Sequence, residues 1–342
     1  MRTAENGYIR VYMINAFVND LASFASAMKI DNPELLSRMI WDPETPDYIF
    51  VSEEVYLVKQ IYEEFLEYLE RCPDSIRIGV YTEAIMPDLN LFDYAICFDY
   101  NSFGDRISRI PMLVHYSSSL LSLKNELTAE EAHELYHTKR FCNFMYSNKD
   151  AHPMRDKLFY KLSEYKPVES TGKHLRNAEI ADEDRDQNWR VESILVKLHY
   201  RFAISSENAI YPGYTSEKIL SSFQGHAIPI YWGNPQVKRE CNPEAFICAD
   251  DFESLDDLRD YVAKIDGDED KWCDIVMKPW FTEEQLVKAM DDMRKYQDFV
   301  SAIFMNDKES VRRRPEGYWP EIYRNWLFRR DRMRNIPALN KG

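Results

Sequence analysis

Apolar positions fall into short runs of strand length, separated by stretches in which they recur every three or four residues. Residues 9–17 form a strand candidate, and Leu21, Phe24 and Met28 share one face of a long helical stretch. Residues 48–51 form a second strand, 55–69 a helix, 76–81 a third strand and 94–98 a fourth. Strands that alternate with helices imply a parallel sheet covered on both faces, so the chain to about residue 120 reads as one α/β domain. A polar stretch follows, where Thr128 and Glu131 make a capping box for a linker helix. Residues 141–146 restart the alternation, and the acid-rich run 177–188 reads as a surface loop.

The pattern is clearest over residues 202–235, FAISSENAIYPGYTSEKILSSFQGHAIPIYWGNP. Phe202 to Ile204 is a short apolar run, Ile219 to Phe223 has helical spacing, and Ala227 to Trp232 is a buried strand stopped by Gly233. Polar residues therefore gather at the carboxyl end of a strand and the amino end of a helix, where open α/β sheets hold nucleotides. A short strand at 246–248 and a helix at 255–265 complete this half. The reading divides the chain into an N-terminal domain with its linker helix, 1–140, a second domain, 141–310, and a basic, aromatic C-terminal helix, 311–342. In that last segment Trp319, Ile322, Tyr323, Trp326 and Leu327 form an apolar stripe, and Arg324, Arg329, Arg330, Arg332 and Arg334 supply charge. Such a helix either packs its stripe on the protein body or lies on a membrane surface.

Composition narrows the classes. At 342 residues the chain exceeds what one core usually organises, which supports two domains. With 43 basic against 58 acidic residues the net charge is −15, which argues against general nucleic-acid binding. Cys72, Cys97, Cys142, Cys241, Cys248 and Cys273 show no paired short spacing, so neither a zinc ribbon nor a disulfide scaffold is expected, and a reducing cytoplasm suits them. No apolar run reaches bilayer-spanning length, and the amino terminus does not read as an export signal.

Four features could carry chemistry. Lys218 sits in the first turn of a helix, where a cation opposes the helix dipole unless an anion such as a phosphate is bound; the alternative is a solvent lysine paired with Glu217. Arg155 lies in a second strand-to-helix connection of the same domain. Glu83 follows the strand 76–81, and a carboxylate there can act as a general base or simply be a solvated loop residue. His133-Glu134-Leu135-Tyr136-His137 is an H-E-x-x-H sequence, the spacing of a zinc peptidase, yet its polar surroundings offer no evident third ligand and favour an exposed helix.

Phe202, Glu207-Asn208, Tyr214, Ser216-Glu217-Lys218 and Pro229 to Gly233 together resemble the donor-binding motif of the α1,3/4-fucosyltransferases, glycosyltransferase family 10, and most of all its bacterial members. The stretches 81–99 and 141–160 are similar to the family's acid-bearing and arginine-bearing segments. Ser206 and Ser216 depart from the pattern, standing where an aromatic residue and a threonine are usual. The resemblance implies a GT-B architecture, two Rossmann-like domains facing a cleft, with GDP-fucose in the second. Arg155 and Lys218 would bind the diphosphate, Asn208, Tyr214 and Glu217 the nucleotide sugar, and Glu83 would be the base. It also implies an inverting transfer of fucose to O3 of N-acetylglucosamine or glucose in a LacNAc- or lactose-type acceptor, giving a Lewis x-type product without a metal or other cofactor. A noncatalytic nucleotide-sugar or glycan-binding module, and a transferase for another GDP-sugar, are the alternatives. The expected location is cytoplasmic, with the C-terminal tail allowing peripheral contact with the membrane.

Overall fold

The computed structural model describes residues 7–15, 17–100, 103–111, 115–116, 123–306 and 308–333. The chain forms two compact units, the first made of residues 1–110 and 291–342, the second of 111–290. In the first unit β1 (Ile9–Ile14), β2 (Met39–Trp41), β3 (Tyr48–Ser52), β4 (Ile76–Val80), β5 (Tyr94–Cys97) and β6 (Ile107–Arg109) form a sheet in the order β2-β1-β3-β4-β5-β6. Every pairing is parallel. β3, β4 and β5 are buried along their whole length, which is why they read as continuous apolar runs rather than as an alternation. The helix Lys59–Arg71 packs Ile61, Phe65 and Tyr68 onto this sheet.

The second unit holds β7 (Arg140–Phe144), β8 (Val168–Ser170), β9 (Tyr200–Ser206), β10 (Ile228–Trp232) and β11 (Ile247–Cys248), again all parallel, in the order β11-β10-β9-β7-β8. Both sheets thus follow one rule. The first strand of each lies between the second and the third, so the winding reverses between β1 and β3 and between β7 and β9. Ligands of open α/β sheets sit outside the carboxyl ends of the strands at such a reversal.

Several boundaries differ from the sequence reading, each for a local reason. The linker helix is present as Ala129–Thr138, and Thr128 and Glu131 make the capping box. It belongs to the second unit, however: Ala132 is in that unit's core with Trp272, and the Tyr136 hydroxyl donates to the Asp266 carbonyl at 2.7 Å. Residues 291–342 return to the first unit, where the Tyr296 hydroxyl donates to the Met28 carbonyl at 2.6 Å and Arg314 pairs with buried Asp93. The long helical stretch after β1 is two short helices, Leu21–Ala27 and Pro33–Arg38, because Asn32 caps a new helix with Pro33 in its first turn. The acid-rich loop is anchored rather than wholly solvated, since Asp184 is buried and meets His199 Nε2 at 2.9 Å.

The C-terminal helix, Tyr318–Met333, packs part of its aromatic stripe on the protein body and leaves part exposed. The Tyr323 hydroxyl donates to Asp88 at 2.7 Å, while Trp319 and Trp326 are 75% and 53% exposed. Side chains from 327 onward, those of Leu327, Arg329, Arg330 and Arg332 among them, and the whole of Arg334 lie outside the described residues. No helix among the described residues is long and apolar enough to cross a membrane.

Candidate functional site

At the reversal between β7 and β9 the second sheet opens into a cavity of about 310 Å³. Residues 145–148 after β7 and Asn208 after β9 line one part of it, and Arg155, Lys197, Glu217 and Lys218 another. Arg155 lies in the first turn of the helix Met154–Ser163 and Lys218 in that of the helix Glu217–Gln224, and neither helix has a side-chain cap. Two cations therefore stand at two helix amino ends, the arrangement that an anion would stabilise.

Arg155 is only 1% exposed, and no carboxylate pairs with it among the described residues. Its guanidinium donates to Asn208 Oδ1 at 2.7 Å, to the Ser206 carbonyl at 3.1 Å and to the Asn148 carbonyl at 3.3 Å. Its carbon lies 4.0 Å from the centroid of the Tyr146 ring, while Nε is buried without a hydrogen bond. The Tyr146 hydroxyl bridges two backbone groups of β9, donating to the Ile204 carbonyl and accepting from the Ser206 N–H, both at 2.7 Å. The guanidinium is thus fixed by neutral groups that keep its charge available, at a desolvation cost that an anion would offset.

Lys218 is held more loosely. Its Nζ lies 2.9 Å from Ser216 Oγ, 3.3 Å from Glu217 and 3.4 Å from Glu207. Burial pushes Glu217 upward, but Lys218, a backbone N–H and Lys197 together hold the carboxyl below its usual range. Glu207, fully buried, is pushed above that range by burial in spite of Lys218. It accepts from the Ser216 N–H at 2.8 Å and the Ser216 hydroxyl at 2.7 Å, which ties the end of β9 to the start of the next helix. The close fit explains Gly233: with φ of +144°, a Cβ there would stand 2.5 Å from Glu207 Cβ and Cγ.

The second unit therefore brings Arg155, Asn208, Glu217 and Lys218 together around one cavity. Tyr214 belongs to the same loop but is buried at 1% exposure and is not among the residues lining the cavity. The sequence reading did not anticipate Lys197. It is buried at the cavity wall, its Nζ donating to Ser193 and Ser221 hydroxyls with no carboxylate partner among the described residues, and burial pushes its pKa down to about 7. A lysine four residues after Ser193 on an amphipathic helix carries little signal by itself; only the fold turns it inward. Trp189, from the same helix, stands half-exposed at the cavity wall.

Glu83 belongs to the first unit, in the loop after β4, and is partly buried. Beside it, at the end of β3, is a carboxylate that the sequence reading passed over. Glu53 is buried, accepts from the Thr82 hydroxyl at 2.5 Å, and has its pKa raised by burial, with the Glu83 charge acting in the same direction. The carboxyl edge of the first sheet thus carries two neighbouring acids, one sheltered and one nearer solvent.

The H-E-x-x-H helix is real, but both imidazoles face one carboxylate: Glu269 Oε1 lies 2.7 Å from His133 Nδ1 and 3.1 Å from His137 Nε2. No group of three metal-ligating side chains is suitably placed among the described residues.

Comparison with known proteins bears on both units. Residues 135–303 match the model of the glycosyltransferase family 10 (fucosyltransferase) C-terminal region, and residues 36–116 match that of the alpha-(1,3)-fucosyltransferase FucT N-terminal domain. The chain is 28% identical over 219 residues to the alpha-(1,3)-fucosyltransferase FucT of Helicobacter pylori, covering 56% of this chain. It is 24% identical over 224 residues to human GDP-fucose protein O-fucosyltransferase 3, covering 61% of this chain. It spans 44% of the length of each of these two relatives. A crystal structure of an alpha1,3-fucosyltransferase with GDP-fucose superposes with a TM-score of 0.58 at 21% identity, over 87% of this chain and 93% of that one, so the GT-B class of fold is shared. With family models matched on both of its sheets, the chain belongs to glycosyltransferase family 10, the fucosyltransferases.

Proposed function

We propose that the protein is an inverting α1,3-fucosyltransferase that moves fucose from GDP-fucose to O3 of N-acetylglucosamine or glucose in a LacNAc- or lactose-type acceptor, giving a Lewis x-type product. The observation that carries the donor half is the buried Arg155 guanidinium, unpaired with any carboxylate among the described residues, in a cavity shared with Lys197 and Lys218. A nucleotide diphosphate supplies the missing anion, and the half-exposed Trp189 offers a face on which a purine can stack. Asn208, Tyr214 and Glu217 are the proposed contacts to the nucleotide sugar.

In the reaction, the acceptor O3 attacks C1 of β-linked fucose and the bond from C1 to the diphosphate oxygen breaks, which inverts the sugar through an oxocarbenium-like transition state. Glu83 takes the acceptor proton, and the departing GDP keeps the bonding electron pair. Negative charge grows on the diphosphate as that bond breaks, and Arg155, Lys218 and the two helix amino ends are aimed to offset it. Because these cations serve the leaving group, we propose that no metal is needed. The working location is proposed as cytoplasmic, with peripheral contact at the inner face of the membrane through the C-terminal helix.

Incubation with GDP-fucose and N-acetyllactosamine, followed by mass spectrometry of the acceptor, tests the reading. One added deoxyhexose, undiminished by EDTA, is the expected result. GDP-fucose binding without any product, on this or a wider acceptor panel, would favour the noncatalytic module, and transfer from a different GDP-sugar would move the donor assignment. A polypeptide acceptor belongs on the panel, because one of the relatives is a protein O-fucosyltransferase.

A further inference from the structure

The first unit contains a second cavity, of about 530 Å³, at the opposite end of its sheet from Glu83. It is lined by the first residues of β4 and the turn before it, by the end of the helix Lys59–Arg71, and by residues of the C-terminal segment from 312 to 325. Four arginines face it: Arg77, Arg312, Arg314 and Arg324.

Two of them are already committed. Arg314 pairs with buried Asp93, and Arg312 pairs with Glu316 and, at 3.4 Å, with Asp74. The other two are not. Arg77 is 4% exposed, and its Nε and Nη1 are buried without a hydrogen bond, leaving Nη2 a single long contact of 3.4 Å to the Pro73 carbonyl. The nearest carboxylate, Asp93, cannot serve it. That group already accepts from the backbone N–H groups of Arg77, Arg313 and Arg314 and from the Arg314 guanidinium. Arg324, on the C-terminal helix, makes no hydrogen bond or ion pair among the described residues. Glu70 is the one lining acid left over once Asp74 and Glu316 are paired.

A buried guanidinium with two unsatisfied donors is costly unless something fills its fork, and a tetrahedral oxyanion matches that fork. Burial, and after it the Arg314 charge, press the Arg77 pKa down to about 9, a pressure that a bound anion would relieve. We propose that this cavity is a binding site for a phosphate-class oxyanion, held by Arg77 from the sheet and Arg324 from the C-terminal helix. The phosphate comes either from a small molecule or from an anionic lipid headgroup. The second source is chemically reasonable because Trp319 and Trp326, exposed on the helix that carries Arg324, suit a membrane interface. The site is separate from the proposed donor cavity and does not depend on it.

The test uses the full chain in calorimetric titration with inorganic phosphate and in co-sedimentation with vesicles of phosphatidylglycerol, against phosphatidylcholine as control. Arg324→Glu reverses a charge on a partly exposed helix position, and Arg77→Met removes the buried fork, while Arg155→Lys reports on the donor cavity. With excess GDP occupying the donor cavity, the expected result is that Arg324→Glu and Arg77→Met each weaken phosphate binding about tenfold or more, whereas without GDP Arg155→Lys loses only the donor-cavity component. Loss of phosphatidylglycerol co-sedimentation in the same two variants would identify the headgroup as the source; a response in the phosphate titration alone would identify a small phosphate. Should the wild type bind neither probe, or should Arg324→Glu behave as wild type with both, the proposal is wrong.

Discussion

The carboxyl edges of the two sheets share one strand order but carry opposite charge. At the edge of the second sheet, Arg155, Lys197 and Lys218 converge on one cavity, and the first two have no carboxylate partner among the described residues. At the edge of the first sheet, beside Arg109 and Asp99, stand the neighbouring acids Glu53 and Glu83, the first buried against Thr82 and the second nearer to solvent. Under the proposed function, the difference fits one topology to two tasks. A group that must hold a charged ligand gains from being buried and left without a counter-ion, since any competing carboxylate would be exchanged at a loss. A group that must take a proton needs a reachable position and a nearby feature that sets its affinity for that proton.

The acid edge gives the largest expected effect. Glu83→Gln should lower turnover by roughly 10²- to 10⁴-fold while GDP-fucose binding is retained, measured as kcat alongside a separate donor affinity. Glu53→Gln should cost much less, because Glu53 acts through Thr82 and its neighbouring charge. If the two variants exchange these outcomes, the base is Glu53. On the cation edge, Arg155→Lys keeps the charge but loses the fork that engages Asn208 and the Ser206 carbonyl. It should reduce turnover by about 10²-fold with an unchanged circular dichroism spectrum. Turnover near that of the wild type would mean that the leaving group is neutralised elsewhere.

A different kind of effect, on stability rather than turnover, lies within the cation edge. Folded Lys197 releases its proton near pH 7, whereas in the unfolded chain it keeps it to about 10.5. Between those values the unfolded state binds the extra proton, so stability rises with pH, and below about 7 the whole penalty of a buried ammonium is present. Lys197→Met should therefore be more stable than wild type at neutral pH, with the gap closing by up to about 1.4 kcal/mol per pH unit toward pH 10. Urea midpoints measured across that range check it. Lys139 is a useful internal reference: it too is pressed down to about 7 by burial, but its Nζ is held by the carbonyls of Gly225, Tyr200 and Lys197 rather than facing the donor cavity. A gap that stays constant with pH would show that Lys197 is already neutralised by a neighbour.

Much of this arrangement was legible in the sequence where the relevant residues lie close together along it. The elements from β9 to β10 emerged within a residue or two of their expected ends, and Lys218 could be singled out because its place in a first turn is a local fact. β2, β6 and β8 have three residues each, too few to show a period, and their pairing depends on neighbours far off in the chain. Lys197 was hidden for a related reason, since nothing near it says that its helix turns it toward Ser221. Arg77 and Arg324 line one cavity from distant parts of the chain, and no local pattern records that. Composition changes near residues 140 and 310, whereas the segment 291–342 joins the first unit through specific bonds to Asp93 and Met28.

Those bonds to Asp93 also set a timetable. Of the four hydrogen bonds its buried carboxylate accepts, one comes from Arg77 and three from residues 313 and 314. A ribosome makes the whole second unit between those two contributions, so the second unit can fold while Asp93 still lacks three of its four donors. The part of the chain that is synthesised first is therefore the part that receives its last buried hydrogen bonds.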